Sequence, residues 1–251
     1  MLVVTPTVQL TCKLALNSFA SVSVNGLSHI TSALENVQQT GLLTLANHIS
    51  TLDDPMAWGV LPTKYFLRSH TARWTLGASD IMFTNPLFST FFRSGQVLET
   101  VRGNGIYQPS VDAAIEKLNR GNWVHLFCEG KVNQPDTYLQ ENGLTRLPRF
   151  KWGVGRVLTE VSKLPPIIPI WLSGFERLMP EGRPFPYKYL PRPGQHLSVT
   201  FGEPLDLREL EALRASDATP EQLRIRITSI VHDAVEALGH SVSGPLLTRT
   251  P

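Results

Sequence analysis

The sequence predicts an α/β domain, a mixed and mostly parallel sheet flanked by helices. Short apolar runs rich in β-formers, LLTLA (42–46), WVHLF (123–127) and IIPIW (167–171), alternate with stretches whose apolar residues recur at helical spacing. Polar groups directly follow three of the predicted strands: His48 after LLTLA, Arg102 after QVLETV and Glu129 after WVHLF. Ligand sites in open α/β sheets gather at the carboxyl ends of strands. Three segments delivering polar groups to one edge are more informative than any one of them.

Each element has its own signal. Leu27, Ile30, Leu34 and Val37 mark an amphipathic helix over 26–39, stopped by Gly41. LLTLA reads as a buried strand, and Asn47 to Asp54 as a turn. Asp54 before Pro55 reads as an N-cap with proline at the first helical position, opening the short helix MAWGVL. Residues 74–92, WTLGASDIMFTNPLFSTFF, are the most lipophilic stretch, with Phe83, Phe88, Phe91 and Phe92, and Asn85-Pro86 breaks them. Flanked by Arg68, Arg73 and Arg93, this stretch suits a lipid interface, and it equally suits a pair of core helices. QVLETV (96–101) is a strand, and 110–120 is a helix capped by Ser110 and stopped by Gly121. RFKWGVGRVLTEVS (149–162) is a helix whose Gly153 and Gly155 suggest close packing, and HLSVTFG (196–202) alternates as a strand. Thr219-Pro220-Glu221-Gln222 opens a final helix by a capping box, with a stop expected at Gly239.

Composition narrows the function classes. The 251 residues are 42% hydrophobic and 18% charged, enough for a proper core and unlike a disordered chain. A net charge of +2 argues against a dedicated nucleic-acid binder. Cys12 and Cys128 form neither a disulfide framework nor a zinc pattern. No apolar run is long enough for a conventional transmembrane helix. No acidic residue precedes Glu35, and only Lys13 is basic before it, a weak targeting signal that fits a membrane-surface segment or a flexible terminus as well. The expected division is a membrane-proximal or targeting segment at 1–25, a main domain at 26–240 with 74–92 as the interface insert, and a flexible tail at 241–251.

ANHISTLDDP (46–55) is the densest chemical stretch. A histidine works as a general base near neutral pH if a partner on its other ring nitrogen fixes the tautomer. Asp53 reaches back to His48 only if the intervening residues turn, because positions five apart do not share a helix face. The simpler reading is that Ser50, Thr51, Asp53 and Asp54 are cap residues. The two are compatible if Asp54 caps and Asp53 is free. Ser50 lacks a nucleophile-elbow context, and His70, His125 and His196 do not sit where a two-metal site needs them. Arg102 before GNGIY suits a phosphate, by its planar fork and a glycine-rich turn. In FCEGK (127–131), Glu129 suits a substrate hydroxyl or Arg102, and Lys131 a phosphate, although alone the segment is only a turn.

As a set these blocks resemble the glycerolipid acyltransferase superfamily: NHISTLD (47–53), ETVRG (99–103), FCEG (127–130) and PIIPI (166–170), in that order. The resemblance runs from about Leu42 to about Pro204 and is closest to the mitochondrial cardiolipin-remodelling transacylases, through RWTLGASDIMFT, NWVHLFCEGKVN and PIIPIWLSGFERLMP. One departure is Cys128, where the family usually has proline. With the glutamate and glycine retained, altered loop rigidity and not lost chemistry is expected.

The resemblance implies a glycerol-3-phosphate acyltransferase-like fold and specific roles. His48 would be the base that deprotonates a lysophospholipid hydroxyl, and Asp53 would orient it. Arg102, Glu129 and Gly130 would bind the acceptor's glycerophosphate. It implies neither a metal nor a cofactor, and no acyl-enzyme. The expected substrates are phosphatidylcholine, cardiolipin and monolysocardiolipin, on mitochondrial membranes facing the intermembrane space, with peripheral or monotopic attachment and no nucleic-acid partner. An acyl-coenzyme-A-dependent lysophospholipid acyltransferase would use the same His–Asp pair, and a non-catalytic membrane-binding protein would make the histidine structural.

Overall fold

The computed structural model describes residues 4–248. The ends of the two expected terminal segments, 1–3 and 249–251, lie outside the described residues. In chain order the elements are α1 (Val4–Phe19), β1 (Ala20–Asn25), α2 (Leu27–Glu35), α3 (Val37–Thr40), β2 (Leu42–Ala46), α4 (Asp53–Ala57), β3 (Trp74–Ala78), α5 (Ser79–Met82), α6 (Pro86–Ser94), β4 (Val97–Thr100), α7 (Pro109–Asn119), β5 (Trp123–Phe127), β6 (Leu139–Glu141), β7 (Leu144–Arg146), α8 (Gly153–Glu160), β8 (Ile167–Ser173), α9 (Phe175–Leu178), β9 (Gln195–Phe201), α10 (Arg208–Arg214) and α11 (Pro220–Ser243).

A seven-stranded sheet, ordered β1-β9-β8-β2-β5-β3-β4, organises the molecule, and β6 and β7 pair apart from it. All its pairings are parallel except β8–β9, so the fold is the mixed, mostly parallel α/β sheet expected. β2 and β8 are buried along their whole length, which explains why they read as unbroken apolar runs and not as alternating ones. Trp58, Trp123, Trp171, Phe175 and Phe201 are among the largest fully buried side chains of the core.

Several boundaries differ from the sequence reading. The N-terminal segment does not stand apart from the sheet. α1 buries Leu16, its Lys13 donates to the Gly59 and Leu61 carbonyls at 3.0 and 2.9 Å, and β1 pairs with β9 at the sheet edge. The helix expected over 26–39 breaks at Asn36 into α2 and α3. WTLGA is strand β3, not part of a lipophilic helix pair, so the segment outside the sheet shrinks to α5 and α6. α11 passes Gly239, because that glycine packs against the Trp171 ring, and the helix ends at Gly244. The boundary expected at 240/241 therefore falls inside a helix. Beyond it Leu247 is buried, and Pro245 accepts the Thr145 amide at 2.9 Å.

Candidate active site

The chain leaves β2 at Ala46 and turns at once. Asn47 locks that turn to β8, since its side-chain amide donates to the Leu172 carbonyl at 2.9 Å and accepts the Leu172 N–H at 2.8 Å. The next residue, His48, is partly exposed, and Asp53 is fully buried beneath it. Asp53 Oδ2 receives three donors: Ile49 N–H at 2.7 Å, Ser50 N–H at 2.8 Å and His48 Nδ1 at 2.9 Å. An oxygen that already accepts two amides cannot donate to the ring. The proton of the His48–Asp53 contact therefore sits on Nδ1, and Nε2 keeps its lone pair for a substrate. Burial raises the Asp53 pKa, and the bonds from His48, Ser50 and Ile49 oppose that rise.

The cap reading is corrected in detail. Leu52 holds the N-cap position of α4, and neither aspartate bonds into that helix as a cap. Asp54 instead forms an ion pair with Arg73, with the Arg73 Nε at 2.8 Å, and accepts Trp58 Nε1 at 3.0 Å. Arg73 holds the Asp54 carboxyl below its ordinary range despite burial. Ser50, already discounted as a nucleophile, uses its hydroxyl to accept the Leu52 amide at 3.2 Å.

β5 runs beside β2 and supplies the second wall. The Phe127 ring stacks on the His48 ring, with centroids 4.3 Å apart and 23° between planes. Glu129 Oε1 accepts the His48 N–H at 2.7 Å, and Oε2 accepts Asn133 Nδ2 at 2.6 Å. Asn133 in turn donates its backbone N–H to the His48 carbonyl at 2.7 Å. The histidine is thus clamped through its backbone N–H, its carbonyl, one ring nitrogen and one ring face. Burial pushes the Glu129 pKa up to about 8, against the lowering effect of those two bonds. Gly130 has φ 80°, and a Cβ there would meet the Lys151 side chain at 3.2 Å, so the glycine carries both the turn and the close approach. Cys128, in the usual proline position, is buried, and its carbonyl accepts the Lys151 N–H at 2.7 Å. Burial drives its thiol pKa up, which leaves the sulfur inert.

Of the five expected site residues, the structure joins His48, Asp53 and Glu129 by direct bonds and sets Gly130 in the same loop. Arg102 is not joined to them. It lies beyond β4, three strand spacings from β2, or about 14 Å. Its exposed guanidinium pairs with Asp80, the Nε lying 3.2 Å from Oδ1. The expectation that Glu129 holds Arg102 is therefore wrong, because both Glu129 oxygens are engaged inside the domain. Sequence reasoning missed Asn47, Phe127, Asn133 and Lys151. Asn47 and Phe127 open the blocks NHISTLD and FCEG, so their places at strand ends were the available signal.

The comparisons place these features in a family. A family model described as Acyltransferase matches residues 29–173, which span β2 through β8 and every clamp around His48. A Dictyostelium discoideum protein described as taffazin is 37% identical over 192 residues, covering 74% of this chain and 63% of its own length. The Drosophila melanogaster tafazzin is 40% identical over 168 residues, covering 67% of this chain and 41% of its own. An N-acylphosphatidylethanolamine synthase of Arabidopsis thaliana is 37% identical over 207 residues, covering 77% of this chain and 69% of its own. The chain thus spans less than two thirds of both tafazzin relatives. With the family model covering more than half of its residues, the chain belongs to the acyltransferase family.

Proposed function

We propose that the protein is a phospholipid–lysophospholipid transacylase that remodels cardiolipin acyl chains without coenzyme A. The observation that carries the acyl-transfer chemistry is the His48–Asp53 pair, whose three-donor aspartate leaves Nε2 as an open base at the end of β2, and the likeness to tafazzins is what favours the coenzyme-independent form. His48 Nε2 takes the proton of a lysophospholipid hydroxyl, and the oxygen attacks the acyl carbonyl of a second lipid. The tetrahedral oxyanion then collapses, the bond from acyl carbon to the donor's glycerol oxygen breaks, and His48 returns the proton to that oxygen. One lysolipid is consumed and one is released. Base catalysis of this kind contributes about 10²–10⁴-fold.

Arg102 and the Gly130 loop receive the acceptor's glycerophosphate, and Glu129 serves them by fixing that loop against His48. No helix among the described residues is long and apolar enough to cross a membrane. Exposed apolar side chains occur in segments that leave the carboxyl ends of three strands: Ile81, Leu87, Phe88 and Phe91 after β3, Tyr107 after β4, and Phe185 and Leu190 after β8. These support peripheral or monotopic contact with a phospholipid surface. The likeness to tafazzins supports phosphatidylcholine and monolysocardiolipin as substrates, on mitochondrial membranes facing the intermembrane space.

The test incubates purified protein with labelled diacyl phosphatidylcholine and monolysocardiolipin, without coenzyme A. Label should appear in cardiolipin, and His48→Ala should abolish it while liposome binding persists. Transfer only from acyl-coenzyme A would favour the coenzyme-dependent rival, and unchanged transfer by His48→Ala would remove the mechanism.

A further inference from the structure

Transfer between two lipids at one histidine needs two headgroup sites, and the acceptor site proposed above uses only the β5, β3 and β4 side. On the opposite side lies a cleft of about 420 Å³, in the size range of small-ligand sites. Ile49, the residue after the base, lines it, as do Leu172 and Ser173 at the end of β8. Direct bonds tie it to the catalytic turn: Asn47 holds Leu172, and Gln134 Nε2 donates to the Ile49 carbonyl at 3.3 Å and to the Met179 carbonyl at 3.2 Å.

We propose that this cleft is a second headgroup site, selective for a phosphodiester that carries a primary ammonium group. The inference rests on the transacylase reading for its role in transfer. Arg177 and Arg192 line the cleft together with Asp136 and Glu176, so its charged groups balance. A simple anion would meet two carboxylates there, and a simple cation two guanidiniums. A zwitterion satisfies both signs, the phosphodiester taking the planar arginine forks and the amine the carboxylates. Two polar atoms in the wall, the Ser173 hydroxyl and one Glu176 oxygen, lack a hydrogen bond. The Ser173 hydroxyl is only 8% exposed and makes no hydrogen bond. Glu176 has Oε1 3.4 Å from Arg177 Nε, and its Oε2 is shut off from solvent and accepts nothing. A buried acceptor without a donor is costly. An ethanolamine ammonium brings three N–H donors to it, and a trimethylated choline brings none. The discrimination is therefore for ethanolamine over choline: a phosphatidylcholine donor keeps the arginine contacts to its phosphodiester and binds as the weaker of the two donors.

The test measures binding of soluble glycerophosphoethanolamine, glycerophosphocholine and inorganic phosphate to the purified chain by calorimetry, then the kinetics of transfer in mixed micelles. Glycerophosphoethanolamine should bind tightest. The exposed Arg192→Ala should weaken it about tenfold, Glu176→Gln should bring it down to the choline compound, and His48→Ala should bind as wild type does. Phosphatidylethanolamine micelles should compete the soluble compound away, and failure to compete would overturn the lipid source. In transfer, Arg192→Ala should raise KM for a phosphatidylethanolamine donor about tenfold, with kcat and acceptor KM unchanged. Equal binding of all three probes, or binding indifferent to both cleft substitutions, would overturn the site. The binding pattern without any transfer by wild type would sink the transacylase reading and leave the headgroup site standing. Transfer by wild type, with kinetics unchanged in both variants, would sink the cleft alone.

Discussion

The two adjacent aspartates of ANHISTLDDP have separable tasks. Asp53 gathers three donors on one oxygen and fixes the His48 tautomer. Asp54 neutralises Arg73, which is only 9% exposed, and its bonds go to Arg73 and Trp58, not to the His48 ring. Asp53→Asn should lower kcat by about 10²–10⁴ through loss of the oriented tautomer, with a smaller effect on KM. Asp54→Asn should leave kcat at low temperature near wild type and cost about 3 kcal/mol of stability, because it strands a buried guanidinium. Melting curves and kcat measured on both variants decide this, and equal loss of kcat in the two would refute the division. Arg102 raises a third point at this scale. Its guanidinium is held by Asp80, and the bond from Arg102 lowers the Asp80 pKa. A phosphate must compete with that carboxylate. Asp80→Asn should therefore lower KM for the acceptor lipid severalfold at low salt, with the gain fading as salt is added. An unchanged KM at low salt would mean Arg102 does not meet the phosphate.

At the scale of elements, α6 is a surface helix whose Leu87, Phe88 and Phe91 face outward, while Phe92 packs among Phe83, Phe88 and Phe91. Among the described residues, Phe88 and Phe91 keep nearly half of their surface exposed despite their contact with Phe92. Phe88→Ser with Phe91→Ser should cut partition onto phospholipid vesicles by about tenfold or more, given ~25 cal/mol per Å² of apolar area removed from water. Circular dichroism should not change, and undiminished vesicle binding would place the membrane contact elsewhere. The start of α6 was legible in the sequence: Asn85 accepts the Phe88 amide at 2.9 Å and Pro86 takes the first turn. β3 was not, because five residues, WTLGA, with a glycine in fourth place carry too little alternation to separate from the lipophilic run that follows. β1 was missed for a similar reason. ASVSVN has only two valines, and it is held at the edge by pairing with β9, some 175 residues away in the chain. The site divides the same way. His48, Asp53 and Glu129 stood out because chemical groups at strand ends are conspicuous, and the His48–Asp53 bond is local. The contact that completes the site, Glu129 to the His48 amide across 81 residues, depends on strand order, and so does the pairing that holds Arg102 apart from it, to Asp80 across 22. The close packing expected at Gly153 and Gly155 holds only at Gly155, since a Cβ at Gly153 would meet nothing within 4 Å. A Cβ at Gly155 would lie 2.4 Å from the Arg224 carbonyl and 2.5 Å from Thr228 Oγ1 on α11. Gly155→Ala should destabilise by about 1–3 kcal/mol despite alanine's better helix propensity, and a raised Tm would contradict the close crossing.

For the whole molecule, two buried groups beside the base set how stability follows pH. His125, fully buried next to Phe127 and Trp58, is pushed down by burial to about 3 from an ordinary 6.5. Between those values the unfolded chain binds a proton the folded one refuses, so His125 costs stability as pH falls below about 6.5. Glu129 does the opposite. Its pKa is raised from 4.5 to about 8, so between those values the folded chain keeps a proton that the unfolded chain has lost. Its contribution therefore falls as pH rises, by at most about 1.4 kcal/mol per pH unit. From about pH 4.5 to 6.5 the two slopes oppose each other. Above that range, of these two groups only Glu129 still titrates, up to its own pKa near 8. Wild-type Tm should decline from pH 6.5 to 8, and Glu129→Gln should flatten that decline while leaving the acid-side loss in place. A slope that survives Glu129→Gln would show the carboxyl is not the source. The decline has a physical meaning for the site. Raising the pH ionises a buried carboxylate near Asp53, and that carboxylate anchors the His48 amide and Asn133. Two buried carboxylates near one imidazole repel each other when both are charged. The domain keeps them there because each fixes a different part of His48, one its ring and the other its backbone.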